Sequence, residues 1–191
     1  MQEENIKFLI IGLGNIGGEY HNTRHNIGFD TVDKIVEILD LKYNDQKKFA
    51  SAVAVGKSVI LAKPNTFMNR SGLATSKLKE YYKTDNEYIV VVSDDYNLEL
   101  GKVRIRFDGD SGGHNGLESV MEQVGGNFWR VRIGIGNAGR KSAEIFVLEK
   151  FSQKERKIID CVIDKTAHYL ADLLFRGELK NESINVGECE K

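Results

Sequence analysis

The stretch that decides the fold is FLIIGLGNIGGEYHNTRHNIGFD, which runs from Phe8 to Asp30. It begins with a nearly continuous apolar run, which is typical of a central strand that is buried on both faces. Three glycines in the spacing G-x-G-x-x-G follow at Gly12, Gly14 and Gly17. Because the same spacing introduces dinucleotide-binding sites, the stretch indicates either a cofactor site or a different site at the end of this strand.

A dinucleotide site needs a helix that begins at the second or third glycine and an acidic residue at the tip of the next strand, about 20 residues on. Here Gly17 is followed by GEYHNTRHN, which lacks apolar periodicity, and the acid at about the right distance, Glu37, lies inside a helical pattern. Both requirements fail. We therefore interpret the glycines as a tight turn that exposes Asn15, and we expect no nucleotide cofactor and no NAD-type oxidoreductase.

Strand and helix patterns alternate along the chain. The segments with strand-like patterns are Ile6–Leu13, Ser58–Pro64, Tyr88–Asp95, Lys102–Phe107 and Trp129–Gly136. The segments with helical apolar spacing are Val32–Leu39, Ser71–Tyr82, His114–Val124 and Ser152–Phe175. The last helix begins with a capping box of Ser152 and Glu155 and has a plausible stop at Gly177. These patterns predict an α/β fold, a three-layer α/β/α sandwich around a twisted, mainly parallel mixed sheet. We expect a single domain over residues 1–191, with residues 178–191 as a loosely ordered tail.

Composition limits the class of protein and its partners. Lys and Arg total 27 against 28 Asp and Glu, a formal net charge of -1, so any contact with nucleic acid must depend on a local basic patch. The N-terminus MQEENIK lacks the order of a secretion signal, and no apolar run approaches the roughly 20 residues of a membrane span. We expect a cytoplasmic protein with no membrane partner.

Polar side chains gather where the predicted strands end, which is the edge at which open α/β sheets place their sites. The residues that follow the strand ends are Asn15, Tyr20, His25, Asn65, Met68, Asn69, Ser93, Asp94, Asp95, His114 and Asn115. One histidine, a nearby aspartate and three asparagines can thus converge at one edge of the sheet.

This set of side chains suits hydrolysis. A histidine can take a proton from water, an aspartate on its other ring nitrogen fixes the tautomer, and asparagine amides can bind an oxyanion or a peptide backbone. Since no serine or cysteine lies in a G-x-S-x-G pattern, water activated by His25 is the simpler nucleophile. The residues predict hydrolysis of an acyl compound, an ester more readily than an amide. Taken singly, each residue also has a structural alternative, as a turn former, a cap or the wet face of a sheet.

Five segments resemble the successive motifs of bacterial-type peptidyl-tRNA hydrolases, in order and at matching spacing over nearly the whole chain. They are GLGNIGGEYHNTRHNIGFD, KPNTFMNRSG, SDDYNLELGKVRIR, SGGHNGLESV and RVRIGIG. The resemblance implies cleavage of the ester between the C-terminus of a stalled peptide and the tRNA ribose, which frees the tRNA for reuse in translation. It also implies a monomer with no metal, no organic cofactor and no obligate protein partner.

The resemblance also implies roles for single residues. His25 matches the general base that activates water, and Asp94 matches the aspartate that orients it. The asparagines that hold the peptide, the scissile carbonyl and the attacking water are matched by Asn15, Asn69 and Asn115. Further contacts with the peptide or the tRNA are implied for Tyr20, Met68, Asn69, His114, Asn115, Arg106 and Arg132. Of these, Arg132 matches a basic clamp on the tRNA 5′ phosphate, and Arg106 stands where its partner is typically lysine.

Some positions depart from the family pattern. Asp108, Asp110 and Glu118 place acids near the expected phosphate-binding edge, where they oppose tRNA binding. The alternative function is that of a non-catalytic RNA-binding relative with the same fold. The intact set of His25, Asp94 and the three asparagines favours the enzyme, and the net charge is poor for a general RNA binder.

Overall fold

The structure is a computed structural model that describes residues 8–185. Its strands are β1 (Phe8–Gly12), β2 (Asn44–Gln46), β3 (Ser51–Val55), β4 (Val59–Pro64), β5 (Ile89–Asp95), β6 (Lys102–Phe107), β7 (Trp129–Gly134) and β8 (Glu182–Asn185). Its helices are α1 (Ile27–Ile38), α2 (Ser71–Tyr82), α3 (Asn115–Val124), α4 (Ala143–Leu148) and α5 (Gln153–Arg176). Short 3-10 turns precede α1 at Arg24–Asn26 and α2 at Met68–Arg70.

All eight strands form one sheet in the order β2-β3-β4-β1-β5-β7-β6-β8. The four central strands, β4, β1, β5 and β7, are parallel, whereas β2 and β3 on one side and β6 and β8 on the other pair antiparallel. The predicted α/β fold with a mixed sheet is confirmed, and its parallel part is the centre. Because parallel strands end at one edge, this centre brings the loops after β1, β4 and β5 together.

The apolar run of β1 is buried on both faces of the sheet. Phe8 and Ile10 face the core that includes side chains of α1 and α5, and Leu9 and Ile11 face the core that includes side chains of α2 and α3. Side chains alternate between the faces of a strand, so a strand covered on both sides has to be apolar throughout. Burial of each such Leu or Ile side chain contributes roughly 1.5–3 kcal/mol, and this is what holds the layers together.

The long C-terminal helix begins and ends as its sequence predicts. The Ser152 hydroxyl accepts a hydrogen bond from the N–H of Glu155 at 3.3 Å, and the Glu155 carboxylate accepts one from the N–H of Ser152 at 2.8 Å. Gly177 follows the helix with a φ of 74°, in the left-handed region that glycine adopts freely. This capping box fixes the residue at which α5 starts.

The elements that the sequence analysis missed are short or lie at an edge. They are β2, β3, α4 and β8. Within the segment from residue 178 that we expected to be a loosely ordered tail, Leu179 is buried and β8 pairs with β6. α1 begins at Ile27, before its first expected residue, Val32. Two parts of the predicted segments lie outside the described residues: the start of the first strand, residues 6 and 7, and the end of the tail, residues 186–191.

Two of the three fingerprint glycines allow α1 to pack closely against β1. A Cβ atom on Gly12 would lie 2.3 Å from the carbonyl oxygen of Gly28 in α1, and a Cβ atom on Gly14 would lie 2.6 Å from the Phe29 ring. Only Gly17 has a positive φ, of 115°. The interpretation as a tight turn therefore holds for Gly17, whereas Gly12 and Gly14 are needed for close packing. Within residues 8–185, every helix is too short or too polar to cross a bilayer.

Candidate active site

A pocket of about 230 Å³ opens at the carboxyl end of β5. The residues around it come from the turn before α1, the end of β5, the loop and first turn of α3, β7 and α4. They are His25, Asp94, Asp95, Tyr96, Ser111, Gly112, Gly113, His114, Asn115, Arg132, Ala143, Glu144 and Val147. The structure thus brings His25, Asp94, His114, Asn115 and Arg132, all predicted site residues, to one cavity.

The centre of the pocket is a buried carboxylate between two histidines. Oδ1 of Asp94 lies 2.7 Å from Nδ1 of His25 and 3.0 Å from Nε2 of His114. The side chain of Asp94 is 1% exposed, and those of His25 and His114 are 10% and 7% exposed. Two imidazoles therefore share one carboxylate oxygen in a site that excludes most water.

The charge on Asp94 is stabilised by its neighbours. Burial alone would raise the pKa of this carboxyl group, but His25 and His114 outweigh burial and hold the pKa well below its usual range. An ionised carboxylate only accepts hydrogen bonds, so we assign the Nδ1 proton to His25. Nε2 of His25 then carries the lone pair that a general base needs.

Arg24, which the sequence analysis did not single out, fastens the turn that carries His25. Its guanidinium donates to both carboxylate oxygens of Glu155 at 2.9 Å, in the first turn of α5. The same group lies between the rings of Phe146 and Phe151, at 4.4 Å and 4.6 Å from their centres. Only packing distinguishes this buried arginine from a surface arginine, so the sequence offered no signal beyond its place beside His25.

Asn15 is held by two different parts of the chain. Its backbone N–H donates to the side-chain oxygen of Asn26 at 2.8 Å, and its carbonyl accepts from the side-chain amide of Asn26 at 3.0 Å. Its own side-chain oxygen accepts from the backbone N–H of Met68 at 2.8 Å. That bond commits the oxygen and leaves the Nδ2 group to bind other partners. Asn26, next to His25, is a second residue that the sequence analysis missed.

The other predicted residues lie around this centre. Met68 is buried, and its sulfur packs so close to α3 that a Cβ atom on Gly116 would lie 2.5 Å from it. Asn69 is exposed in the turn before α2, and Tyr20 is half-buried in the loop after β1. Asn69 and Tyr20 do not line the pocket itself.

Four arginines occupy one face of the β6–β7 pair. Arg104 lies opposite Arg132 and Arg106 lies opposite Arg130 in the antiparallel register. These arginines line a cavity of about 300 Å³ together with two aspartates. We name this cavity the basic cleft and define it by Arg104, Arg106, Asp108, Asp110, Arg130 and Arg132. Like charges directly opposite each other on a sheet repel, so this face is well suited to an anion. Arg132 lines both the basic cleft and the pocket.

Arg130 is the deepest residue of the basic cleft and is 1% exposed. One of its terminal nitrogens donates to the carbonyls of Gly126 and Phe128 at 3.0 Å, whereas its Nε and its other terminal nitrogen have no hydrogen-bond partner. Burial, reinforced by the neighbouring Arg132, lowers its pKa to about 10, against the opposing carboxylates of Asp108 and Asp110. The guanidinium is still charged at neutral pH, with donors to spare.

The same cluster has the composition of a possible metal site. One candidate ligand atom from each of His25, Asp94 and His114 lies within 4.8 Å of the others. The two His–Asp contacts, however, have hydrogen-bond lengths, 2.7 Å and 3.0 Å. Both ring nitrogens of His114 also have partners already, one of which is the N-terminus of α3. We therefore interpret the cluster as one that holds protons.

The fold and the buried His–Asp pair define a class: an α/β protein with a His–Asp cluster, consistent with a catalytic site, at the carboxyl ends of the central strands. The family model described as peptidyl-tRNA hydrolase matches residues 9–189. The peptidyl-tRNA hydrolase of Clostridium botulinum strain Hall is 43% identical over 165 residues, 84% of this chain and 86% of the relative. That of Aquifex aeolicus strain VF5 is 45% identical over 167 residues, 85% of this chain and 87% of the relative.

A solved structure gives the same result. The crystal structure of the peptidyl-tRNA hydrolase from Acinetobacter baumannii superimposes with a TM-score of 0.84 at 36% identity, over 91% of this chain and 90% of that one. The chain belongs to the peptidyl-tRNA hydrolase family, and its enzymatic activity is that of a peptidyl-tRNA hydrolase. The resemblance predicted from the sequence motifs is thereby confirmed.

Proposed function

We propose that the pocket hydrolyses the ester bond between the C-terminus of a peptide and the 3′ ribose of tRNA, with water as the nucleophile and His25 as the base. The observation that carries the proposal is the 2.7 Å contact between Nδ1 of His25 and the buried Asp94 carboxylate. This contact leaves Nε2 of His25 to act on water at the pocket. The products are a free peptide and a tRNA that can be charged again.

The reaction proceeds in two proton transfers. Nε2 of His25 removes a proton from water as the oxygen attacks the ester carbonyl, and Asp94 stabilises the imidazolium that forms. The tetrahedral intermediate then collapses, the bond to the ribose oxygen breaks, and the imidazolium returns its proton to that oxygen. One water is consumed, one acid and one alcohol are formed, and His25 ends as it began.

The three asparagines bind the parts of the substrate and the water that His25 does not hold. Asn115 lies on the wall of the pocket beside His114, and in this proposal it holds the attacking water or the scissile carbonyl. Asn15 offers its Nδ2 group, because its side-chain oxygen is committed to Met68. Asn69, exposed in the turn that Met68 begins, is available to the peptide backbone. Amide donors fixed where negative charge develops lower the barrier to acyl transfer.

The tRNA lies across the basic cleft and reaches the pocket past Arg132. Arg106 and Arg132 bind the 5′ phosphate, and the unpartnered donors of Arg130 add to the positive potential at the floor of the cleft. Tyr20 and Met68 complete the expected contacts with the 3′ end or the peptide. A local patch of this kind reconciles a net charge of -1 with an RNA substrate. The proposed enzyme is a cytoplasmic, single-domain monomer that needs no cofactor.

The test is release of tRNA from an N-blocked aminoacyl-tRNA, with His25→Asn run beside the native protein. We expect kcat to fall in the variant by on the order of 10²–10⁴-fold, the usual contribution of a general base. The matched control is His168→Asn, which changes an exposed histidine of α5. If the native protein bound tRNA but showed no turnover, the result would instead support the non-catalytic RNA-binding alternative.

A further inference from the structure

His114 occupies the N-cap position of α3, an unusual place for a histidine. Its Nδ1 accepts hydrogen bonds from the backbone N–H groups of Gly116 at 3.1 Å and Leu117 at 3.2 Å. A ring nitrogen that accepts hydrogen bonds carries a lone pair and no proton. The N-terminus of α3 therefore fixes the tautomer of His114, and in the neutral ring the proton is on Nε2.

The Nε2 proton of His114 is donated to Asp94. Nε2 of His114 lies 3.0 Å from Oδ1 of Asp94, the same oxygen that accepts from Nδ1 of His25 at 2.7 Å. Because the Asp94 side chain is 1% exposed, water contributes little to holding it in place. His114 is thus a donor to Asp94 whose direction is set by the backbone of a helix.

We propose that His114 is a positioning residue for hydrolysis, which transmits the fixed geometry of the α3 N-terminus through Asp94 to His25. The proposal rests on the proposed role of His25 as the base. It replaces the expected substrate contact of His114 with an indirect role. His114 holds the carboxylate oxygen of Asp94 in line with His25. Its Nε2–H also interacts with part of the negative charge of Asp94, so the imidazolium of His25 does not interact with the full charge.

Helix capping alone does not require an imidazole here. Serine, threonine, aspartate and asparagine are the residues that satisfy the first N–H groups of a helix most effectively. A neutral histidine places an acceptor and a donor on opposite sides of a rigid ring, so it can bridge the start of a helix to a group on the far side of the ring. In His114 both are used at once, on α3 and on Asp94.

The experiment compares His114→Ser with His114→Ala. Serine keeps an acceptor for the helix N–H groups and loses the donor to Asp94, whereas alanine loses both. We expect kcat to fall on the order of 10-fold or more in both variants, with KM nearly unchanged, since outer partners of reactive groups commonly have effects of this size. The melting temperature should fall more in His114→Ala than in His114→Ser, because only alanine removes the cap.

The pH profile gives a readout that a structural role would not move. Without the second donor, the charge of Asp94 acts on His25 alone and favours its protonated form. The acid limb of the kcat profile should therefore shift to higher pH in His114→Ser. The other titratable or charged groups around the pocket, Asp95, Tyr96, Arg132 and Glu144, are unchanged in both variants.

Three results would overturn the proposal. Native kcat in His114→Ser with a loss only in His114→Ala would make His114 a helix cap and nothing more. A raised KM at unchanged kcat would make it a substrate contact. In ¹⁵N NMR of the native protein, a protonated Nδ1 on His114 in the pH range of activity would remove the fixed tautomer. Full turnover by His25→Asn is a separate result, which would refute the proposed base itself.

Discussion

At the scale of single residues, the site depends on one buried charge. Asp94 has two imidazole donors on the same oxygen, and removal of either the charge or a donor leaves a buried polar group without its partner. The two histidines are not equivalent, because Nδ1 of His114 is bound to the backbone, whereas His25 uses Nδ1 for Asp94. Of the two, His25 alone is left with a ring nitrogen for the proposed reaction.

We predict that Asp94→Asn lowers kcat on the order of 10²-fold or more, because the neutral amide neither fixes the His25 tautomer nor stabilises the imidazolium. The variant also loses stability in a pH-dependent way. The pKa of Asp94 is held below its unfolded value of about 4, so the native advantage is present above that pH and fades as the pH falls through the folded pKa. Urea unfolding at several pH values measures this difference, and a gap that stays constant from pH 6 to pH 3 would contradict it.

At the scale of elements, the site depends on how closely α1 approaches the sheet. A Cβ atom on Gly28, in the first turn of α1, would lie 2.4 Å from the carbonyl oxygen of Val92 and 2.5 Å from that of Leu13. Both contacts are with backbone, which cannot move aside as a flexible side chain does. The absence of a side chain at Gly28 thus sets the distance between the turn that carries His25 and the end of β5 that carries Asp94.

We predict that Gly28→Ala costs roughly 1–3 kcal/mol of unfolding free energy through overpacking, and that kcat falls as α1 moves away from β5. Gly18→Ala is the matched control, since a Cβ atom there meets nothing within 4 Å and Gly18 has no positive φ. Chemical denaturation and tRNA release measure the two effects. Equal stability of the two variants would show that the close approach of α1 is not a constraint.

At the scale of the whole molecule, the charges are distributed unevenly, and one patch of the surface differs in sign from the net charge. The chain is slightly acidic overall, yet four arginines lie together on the β6–β7 face. Asp108 and Asp110 stand in the same cleft and reduce its potential, as their effect on Arg130 indicates. Under the proposed function, we expect the balance between these groups to affect tRNA affinity more than chemistry at His25.

We predict that Asp108→Asn and Asp110→Asn each strengthen tRNA binding at low salt, with kcat unchanged. Each change removes a negative charge from the path of the phosphates, and its effect should shrink as salt rises. Asp40→Asn is the control of equal charge change, because Asp40 is exposed beyond the far end of α1 from His25. Filter binding at two salt concentrations measures the tRNA affinity of each variant. An equal increase in affinity in Asp40→Asn would show that the effect comes from net charge only.

Much of the fold could be predicted because local patterns carry it. The apolar runs of β1 and β5, the apolar spacing of α1 and the capping box of α5 are each contained in a few neighbouring residues. The strands β2 and β8 could not be found in this way, because they are short and largely polar. They exist because a neighbouring edge offers hydrogen bonds, as β6 does for β8.

By itself, the sequence determined the class of fold and the family, and it predicted the candidate site residues, since strand ends and motifs are local signals. Only the tertiary structure decided how those residues act together. His25 and Asp94 are 69 positions apart, and Asp94 and His114 are 20 apart, so no local pattern encodes their shared oxygen. The contacts of Arg24 and of the two ring nitrogens of His114 follow from packing and helix position, which exist only once distant segments are brought within hydrogen-bond range.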